Sequence, residues 1–295
     1  MNTVAPHGPL TSLVHTKFTK DFHQQPFNSN MFLSKRSPLI FKCCCTRNEE
    51  PQKSHLGFSV LNTDIPCDGG TIFSTMAFYV FSLHVPLSFG GLAAVATILH
   101  QQVLEPDIEA LSLLGVEILD LVGFFLLMKC PGKPQYKLRD FFQINNLARE
   151  RNWLWASLLG FLFLILLVLL TSIIADQFLG QKEVNNPMLQ TLLSSGSISV
   201  TACILVYCIV TPLLEEFVYR GYLLTSLSCT MKWQLAVLLS SLVFSASHFS
   251  SENFLQLFVI GCILGCSYCW TGNLYSSILI HSLYNAFTLF ITFFS

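Results

Sequence analysis

Seven stretches of the chain, 71–99, 109–128, 153–175, 198–227, 233–250, 254–270 and 273–294, are apolar almost throughout. Most reach the roughly 20 residues that an α-helix needs to cross a hydrocarbon core. The pattern predicts an all-α, polytopic transmembrane helix bundle of about seven spans. His84, Pro86 and the pair Gly90-Gly91 interrupt the first span, and a membrane proline predicts a kink. Glu117 and Asp120 stand three apart on one face of the second span and could line a polar interior. Trp153 and Trp155 mark an interface at the start of the third. Residues 176–195 read as a polar loop. On the sixth span Gly261 and Gly265, four apart, predict a close helix approach.

Residues 1–47 break this pattern. Lys17, Lys20, Lys35, Arg36, Lys42 and Arg47 face a single acid, Asp21, among scattered Ser, Thr, Asn and Pro. A basic, hydroxyl-bearing, acid-poor leader has the composition of an organellar transit peptide. Its want of amphipathic, arginine-rich character points to a plastid, and so to a multi-pass protein of a chloroplast membrane (envelope or thylakoid). A disordered cytosolic tail is the other reading. Cys43-Cys44-Cys45 lie near where cleavage would fall, with S-palmitoylation as a second possibility. Residues 48–70, with Pro51, Pro66, Gly69 and Gly70, read as a linker. The organisation is then leader, linker, two helices over 71–128, a basic loop over 129–152 and a membrane domain over 153–295. Leu138, Phe141, Phe142 and Leu147 suggest a short interfacial helix within the loop. Its excess of Lys and Arg puts it, with the mature N-terminus, on the inner side of the membrane.

Composition narrows the function classes. Residues are 52% hydrophobic and 11% charged, against roughly 25% charged in soluble domains. A net charge of −1 without a basic, aromatic-laced patch gives no reason to expect a nucleic-acid partner. The partners expected are the lipid bilayer and a membrane or lipid-modified protein or peptide. The 11 cysteines have no paired metal-type spacing. Six of them (Cys203, Cys208, Cys229, Cys262, Cys266 and Cys269) lie in or beside apolar spans and read as small buried hydrophobes.

Charge inside the apolar spans is where chemistry is expected, because ionisable groups at bilayer depth are costly. The fourth span carries Glu215-Glu216 and Arg220. Glu216 and Arg220, four apart on a helix, share a face and can pair. Glu215 points about 100° away with no arginine on its own face. The fifth span carries Phe244 and His248, and the seventh carries His281 and Asn285, again four apart. Such polar groups converge because each needs a partner. A carboxylate beside a histidine can take a proton from water. A second histidine with an amide can donate to the oxyanion of a tetrahedral intermediate. Glu215 and His248 can meet only if the fourth helix continues to about Leu227, which places the glutamate pair near mid-depth.

The ordered set Glu215-Glu216-xxx-Arg220, Phe244-xxx-His248 and His281-xxx-Asn285 resembles the motifs of the CPBP (ABI, type II CAAX prenyl endopeptidase) family of glutamate-dependent intramembrane proteases. The resemblance covers roughly residues 153–292. It implies Glu215 as the base that activates water, with His248 assisting. His281 and Asn285 would form the oxyanion site, and Glu216, Arg220 and Phe244 would support the geometry. No cofactor is expected. Zinc on Glu215, His248 and His281 is the competing arrangement, although no HExxH is present and Asn285 is a poor zinc ligand. Two other functions stay open on the same residues: a non-proteolytic membrane scaffold of this fold, and a transporter. The duplicate broken helices of a transporter are not found.

Overall fold

The computed structural model describes residues 57–61, 69–129, 151–179 and 187–294. The predicted transit peptide, most of the linker and all but the ends of the basic loop, including its predicted interfacial helix, lie outside the described residues. Regular structure among the described residues is helical: α1 Gly69–Ile98, α2 Pro106–Met128, α3 Trp153–Leu179, α4 Pro187–Ser195, α5 Ser197–Ser228, α6 Trp233–Ser247, α7 Phe254–Thr271 and α8 Leu274–Phe294. Six of these are long and apolar enough to cross a membrane: all but α4 and α6.

Two expectations are corrected. The polar loop predicted over 176–195 contains α4. Its Leu192 and Leu193 pack with Ala110, Ala202, Cys203 and Leu289, so a three-to-four-residue apolar spacing hidden among serines was enough for a short amphipathic helix. The fifth span stops at Ser247, with His248 as its cap and Phe249 turning away at φ 50°. At 1.5 Å per residue α6 is about 22 Å long, less than the roughly 30 Å of a hydrocarbon core.

The centre of the bundle is α5, whose residues 214–228 are all buried. Leu164 of α3, Phe244 of α6, Leu264 of α7, and Ile280 and Tyr284 of α8 share its core, as do Tyr79 and Phe124 of α1 and α2. The outer helices expose leucine and phenylalanine in quantity, among them Phe81, Leu159, Leu166 and Phe290, as a lipid-facing surface requires. The helix α5 runs unbroken through Pro212. Room for the proline is made by a widened turn just before it, Val206–Val210, and α1 does the same at Val80–His84 before Pro86. A proline removes one i→i−4 bond and crowds the carbonyl four residues back, and opening the preceding turn relieves both effects. A third widened run, Glu216–Leu224, has no proline. Its Tyr219 carbonyl accepts from Ser240 Oγ at 2.9 Å, and its Arg220 carbonyl from Thr225 Oγ1 at 3.1 Å.

Because α5 continues to Ser228, Glu215 lies about 20 Å below that end. A four-residue turn leads into α6, which descends about the same depth to His248. The two residues therefore meet inside the bundle. Helices α6 and α7 touch where predicted: a Cβ on Gly261 would stand 3.1 Å from the Ser241 Cα, and one on Gly265 3.1 Å from Val237 Cγ1. At the end of the bundle where α7 finishes, Arg151 ties three chain segments together. It donates to the Gly57, Phe58 and Trp270 carbonyls at 2.9, 2.8 and 2.7 Å and lies over the Trp270 ring. None of the six cysteines in the spans is paired in a disulfide.

Candidate active site

Glu216 and Arg220 are 0% and 1% exposed and form the predicted i,i+4 ion pair, Nη1 to Oε1 at 2.9 Å. The guanidinium is further fixed by an Nη2 bond to the Gly261 carbonyl at 3.3 Å and by lying over the Phe244 ring at 4.4 Å. A cation so enclosed is tolerable only because carboxylate, carbonyl and ring replace water around it.

His281 of α8 completes the group: its Nδ1 lies 2.9 Å from the same Glu216 Oε1. An ion-paired carboxylate accepts, so Nδ1 is the donor and Nε2 is the edge turned toward Glu215. His248 is held in a matching way, its Nδ1 donating to the Phe244 carbonyl at 2.7 Å. The two Nε2 atoms then face the two oxygens of one carboxylate. His248 Nε2 is 3.5 Å from Glu215 Oε1, and His281 Nε2 is 3.5 Å from Oε2. Both separations exceed a hydrogen bond, and Oε2 has no hydrogen-bond partner among the described residues. Glu215 is thus a nearly buried carboxylate bracketed by two imidazole edges, each turned by a separate partner. Phe244 has three contacts there: under Arg220, edge-on to His248 at 4.7 Å, and edge-on to His281 at 6.2 Å.

The structure therefore brings Glu215, His248 and His281 together, with Glu216, Arg220 and Phe244 behind them. Asn285 sits one turn beyond His281 on α8, and its amide Nδ2 donates to the Tyr207 carbonyl of α5 at 2.8 Å. Tyr219, one turn after Glu215 on the same face, was not singled out from the sequence. Its hydroxyl donates to Ser247 Oγ at 2.5 Å and its ring packs edge-on to Phe244. The spacing of four from Glu215 was the available signal. Glu117 and Asp120, seen in the sequence without partners, have them here. Thr211 Oγ1 donates to Glu117 at 3.4 Å, while Tyr79 Oη and His84 Nδ1 reach Asp120 Oδ2 at 3.2 and 2.9 Å. Among the described residues no group of three or more His, Cys, Asp or Glu side chains is arranged to hold a metal ion.

Such a bundle, with a carboxylate of α5 set between oriented histidines of α6 and α8, is that of a polytopic membrane protein with a polar centre. Residues 197–287 match the family described as type II CAAX prenyl endopeptidase Rce1-like. Over that stretch the chain is similar to this family. It is also 30% identical over 141 residues to the membrane-embedded CAAX protease MroQ of Staphylococcus aureus (strain USA300), an alignment covering 46% of this chain and 56% of that protein. The chain thus matches little more than half the length of that relative. No solved structure matches the chain. All seven residues of the expected site fall inside the matched stretch 197–287.

Proposed function

We propose that this protein is an intramembrane endopeptidase in which Glu215 activates water for attack on a peptide bond. The observation that carries the reading is the bracketing of Glu215 by His248 Nε2 and His281 Nε2 at 3.5 Å each. A water lying between a carboxylate and an imidazole lone pair has both of its protons engaged and its own lone pair free to attack. Glu215 takes one proton as the water oxygen bonds to the scissile carbonyl carbon. His281, as the imidazolium with Nδ1–H on Glu216, donates its Nε2–H to the developing oxyanion. Asn285, anchored on Tyr207 by one amide N–H, has a second to offer. Collapse of the tetrahedral intermediate breaks the C–N bond, and the departing amine takes up a proton. We read the centre as working without a metal, the two Nε2 edges addressing different oxygens of one carboxylate.

The substrate class follows from the setting: a membrane-bound or lipid-modified protein or peptide whose scissile bond reaches bilayer depth. Residues 1–47 act as a plastid transit peptide in this reading, placing the enzyme in a chloroplast envelope or thylakoid membrane. The test is cleavage by the purified full chain in proteoliposomes. A prenylated and an unprenylated peptide of the same sequence are supplied, and the products are identified by mass spectrometry. The expected result is a single new C-terminus from at least one of them, lost in His248→Ala, and unaffected by a chelator. A full chain that inserts but leaves both peptides intact contradicts the proposal.

A further inference from the structure

Outside the stretch that matches the family, α1 and α2 carry a second carboxylate-held histidine, and the packing points it at the same centre. Asp120 is 3% exposed. Its Oδ2 accepts from Tyr79 and from His84 Nδ1, and its Oδ1 is buried without a hydrogen-bond partner. With Nδ1 committed, His84 has Nε2 as its free edge, and its side chain is 19% exposed. The level of Asp120 along α5 is fixed by two contacts. Glu117 meets Thr211, and Phe125 meets Phe217 at 5.0 Å. The helices run parallel there, so Asp120, between those contacts, is level with Glu215. From the other side Phe89, further along α1 than His84, packs edge-on against Phe249, the neighbour of His248. The Phe89–Phe249 contact therefore brings the segment of α1 just beyond His84 against the end of α6 that carries His248.

We propose that His84, oriented by Asp120, is a further catalytic residue: the general acid that protonates the departing amine. This rests on the endopeptidase reading above. In the balanced step water adds to the carbonyl carbon and gives one proton to Glu215. The imidazolium of His84 gives its Nε2 proton to the nitrogen as the C–N bond breaks. Glu215 then returns its proton, through solvent, to His84. Asp120 from α2 bonds His84, and Tyr79 of its own helix bonds the same carboxylate and stacks on the ring. Asp120 supplies orientation and Glu215 the returning proton.

A general acid matters in proportion to how poor the leaving group is, and a structural residue does not. The full chain, its His84→Gln and Asp120→Asn variants, and Glu215→Gln are compared on a peptide amide. The same acyl group is also supplied as a nitrophenyl ester, whose leaving group needs no proton. For His84→Gln we expect kcat on the amide to fall by about 10²–10⁴-fold, KM to hold, and ester hydrolysis to stay near wild type. Asp120→Asn should show the same selectivity with a smaller loss. Retained ester turnover also reports that the variant is folded. Equal losses on both substrates, no loss on the amide, or a change confined to KM each overturn the assignment. Glu215→Gln separates this inference from the reading beneath it. If that variant is dead on both substrates while His84→Gln matches wild type, the base stands and only the acid falls. Turnover retained in Glu215→Gln brings down the base itself.

Discussion

At the residue scale the site is a chain of commitments. Arg220 binds Glu216, Glu216 fixes Nδ1 of His281, and the Phe244 carbonyl fixes Nδ1 of His248. What remains uncommitted is Glu215 and two Nε2 edges. The support residues should therefore fail differently from those proposed to be catalytic. Arg220→Met leaves Glu216 as a buried, half-paired anion. Removing one partner of such a pair costs about 3–5 kcal/mol, so unfolding in detergent should shift markedly, with activity lost along with the fold. His281→Ala instead should shift unfolding less than Arg220→Met, because Arg220 still pairs Glu216, yet lose kcat by about 10²-fold or more. A normal unfolding midpoint for Arg220→Met would contradict the role given to the pair. The pairing of Glu216 with Arg220 was legible in the sequence because both lie on one helix, where spacing alone sets the face. The bonds from Asn285 to Tyr207 and from His84 to Asp120 were not. They depend on how far each helix is rotated about its axis against its neighbour, which a one-dimensional pattern does not encode.

At the scale of elements, depth is set by helix length. A longer α6 would carry His248 past Glu215, and an α5 that ended at Leu214 would leave the glutamate on the wrong side. The length of α5 was legible because no charged residue follows Arg220 until Lys232. The end of α6 was not, because the apolar pattern runs on through Phe249 while the backbone has already turned. The widened turns divide in the same way: Pro86 and Pro212 announce two of them, and nothing in the residues announces Glu216–Leu224. Contact between α6 and α7 is the element-scale lever. A Cβ on Gly261 would stand 2.9 Å from the Ser241 Cβ and 3.1 Å from its Cα, atoms that move only with the helix, so the helices must separate to admit it. Gly261→Val should cost about 1–3 kcal/mol through overpacking. It should also lower activity beyond what stability explains, because α6 carries His248 and the Gly261 carbonyl holds Arg220. An active, equally stable Gly261→Val protein would show that the close approach is not needed.

For the whole molecule the helix count fixes sidedness. Helices α6 and α7 together make one excursion that starts and ends at the same end of the bundle, so the beginning of α1 and the end of α8 lie on opposite sides. A protease-sensitive tag inserted at Lys133 should share its side with the start of α1, and a tag after Phe294 should take the other. Both tags on one side would contradict the arrangement. Residues 1–47, if a transit peptide, should be removed on import into isolated chloroplasts, seen as a shortened band in the membrane fraction. An unshortened, excluded precursor would count against plastid placement. The membrane class was legible from composition and span length, and the site from three short motifs in order. The three helices that carry them converge for a reason spacing cannot show: Glu216 and Glu215 of α5 find their histidine neighbours on α8 and α6.

The central claim is that Glu215 activates the water. The most direct measurement compares the full chain with Glu215→Gln, an isosteric change that keeps the packing and removes the base. Both are reconstituted in the same lipid and supplied with the same cleavable peptide. The account predicts that Glu215→Gln inserts and unfolds like wild type while its turnover falls by at least about 10²-fold. Turnover equal to wild type would contradict it.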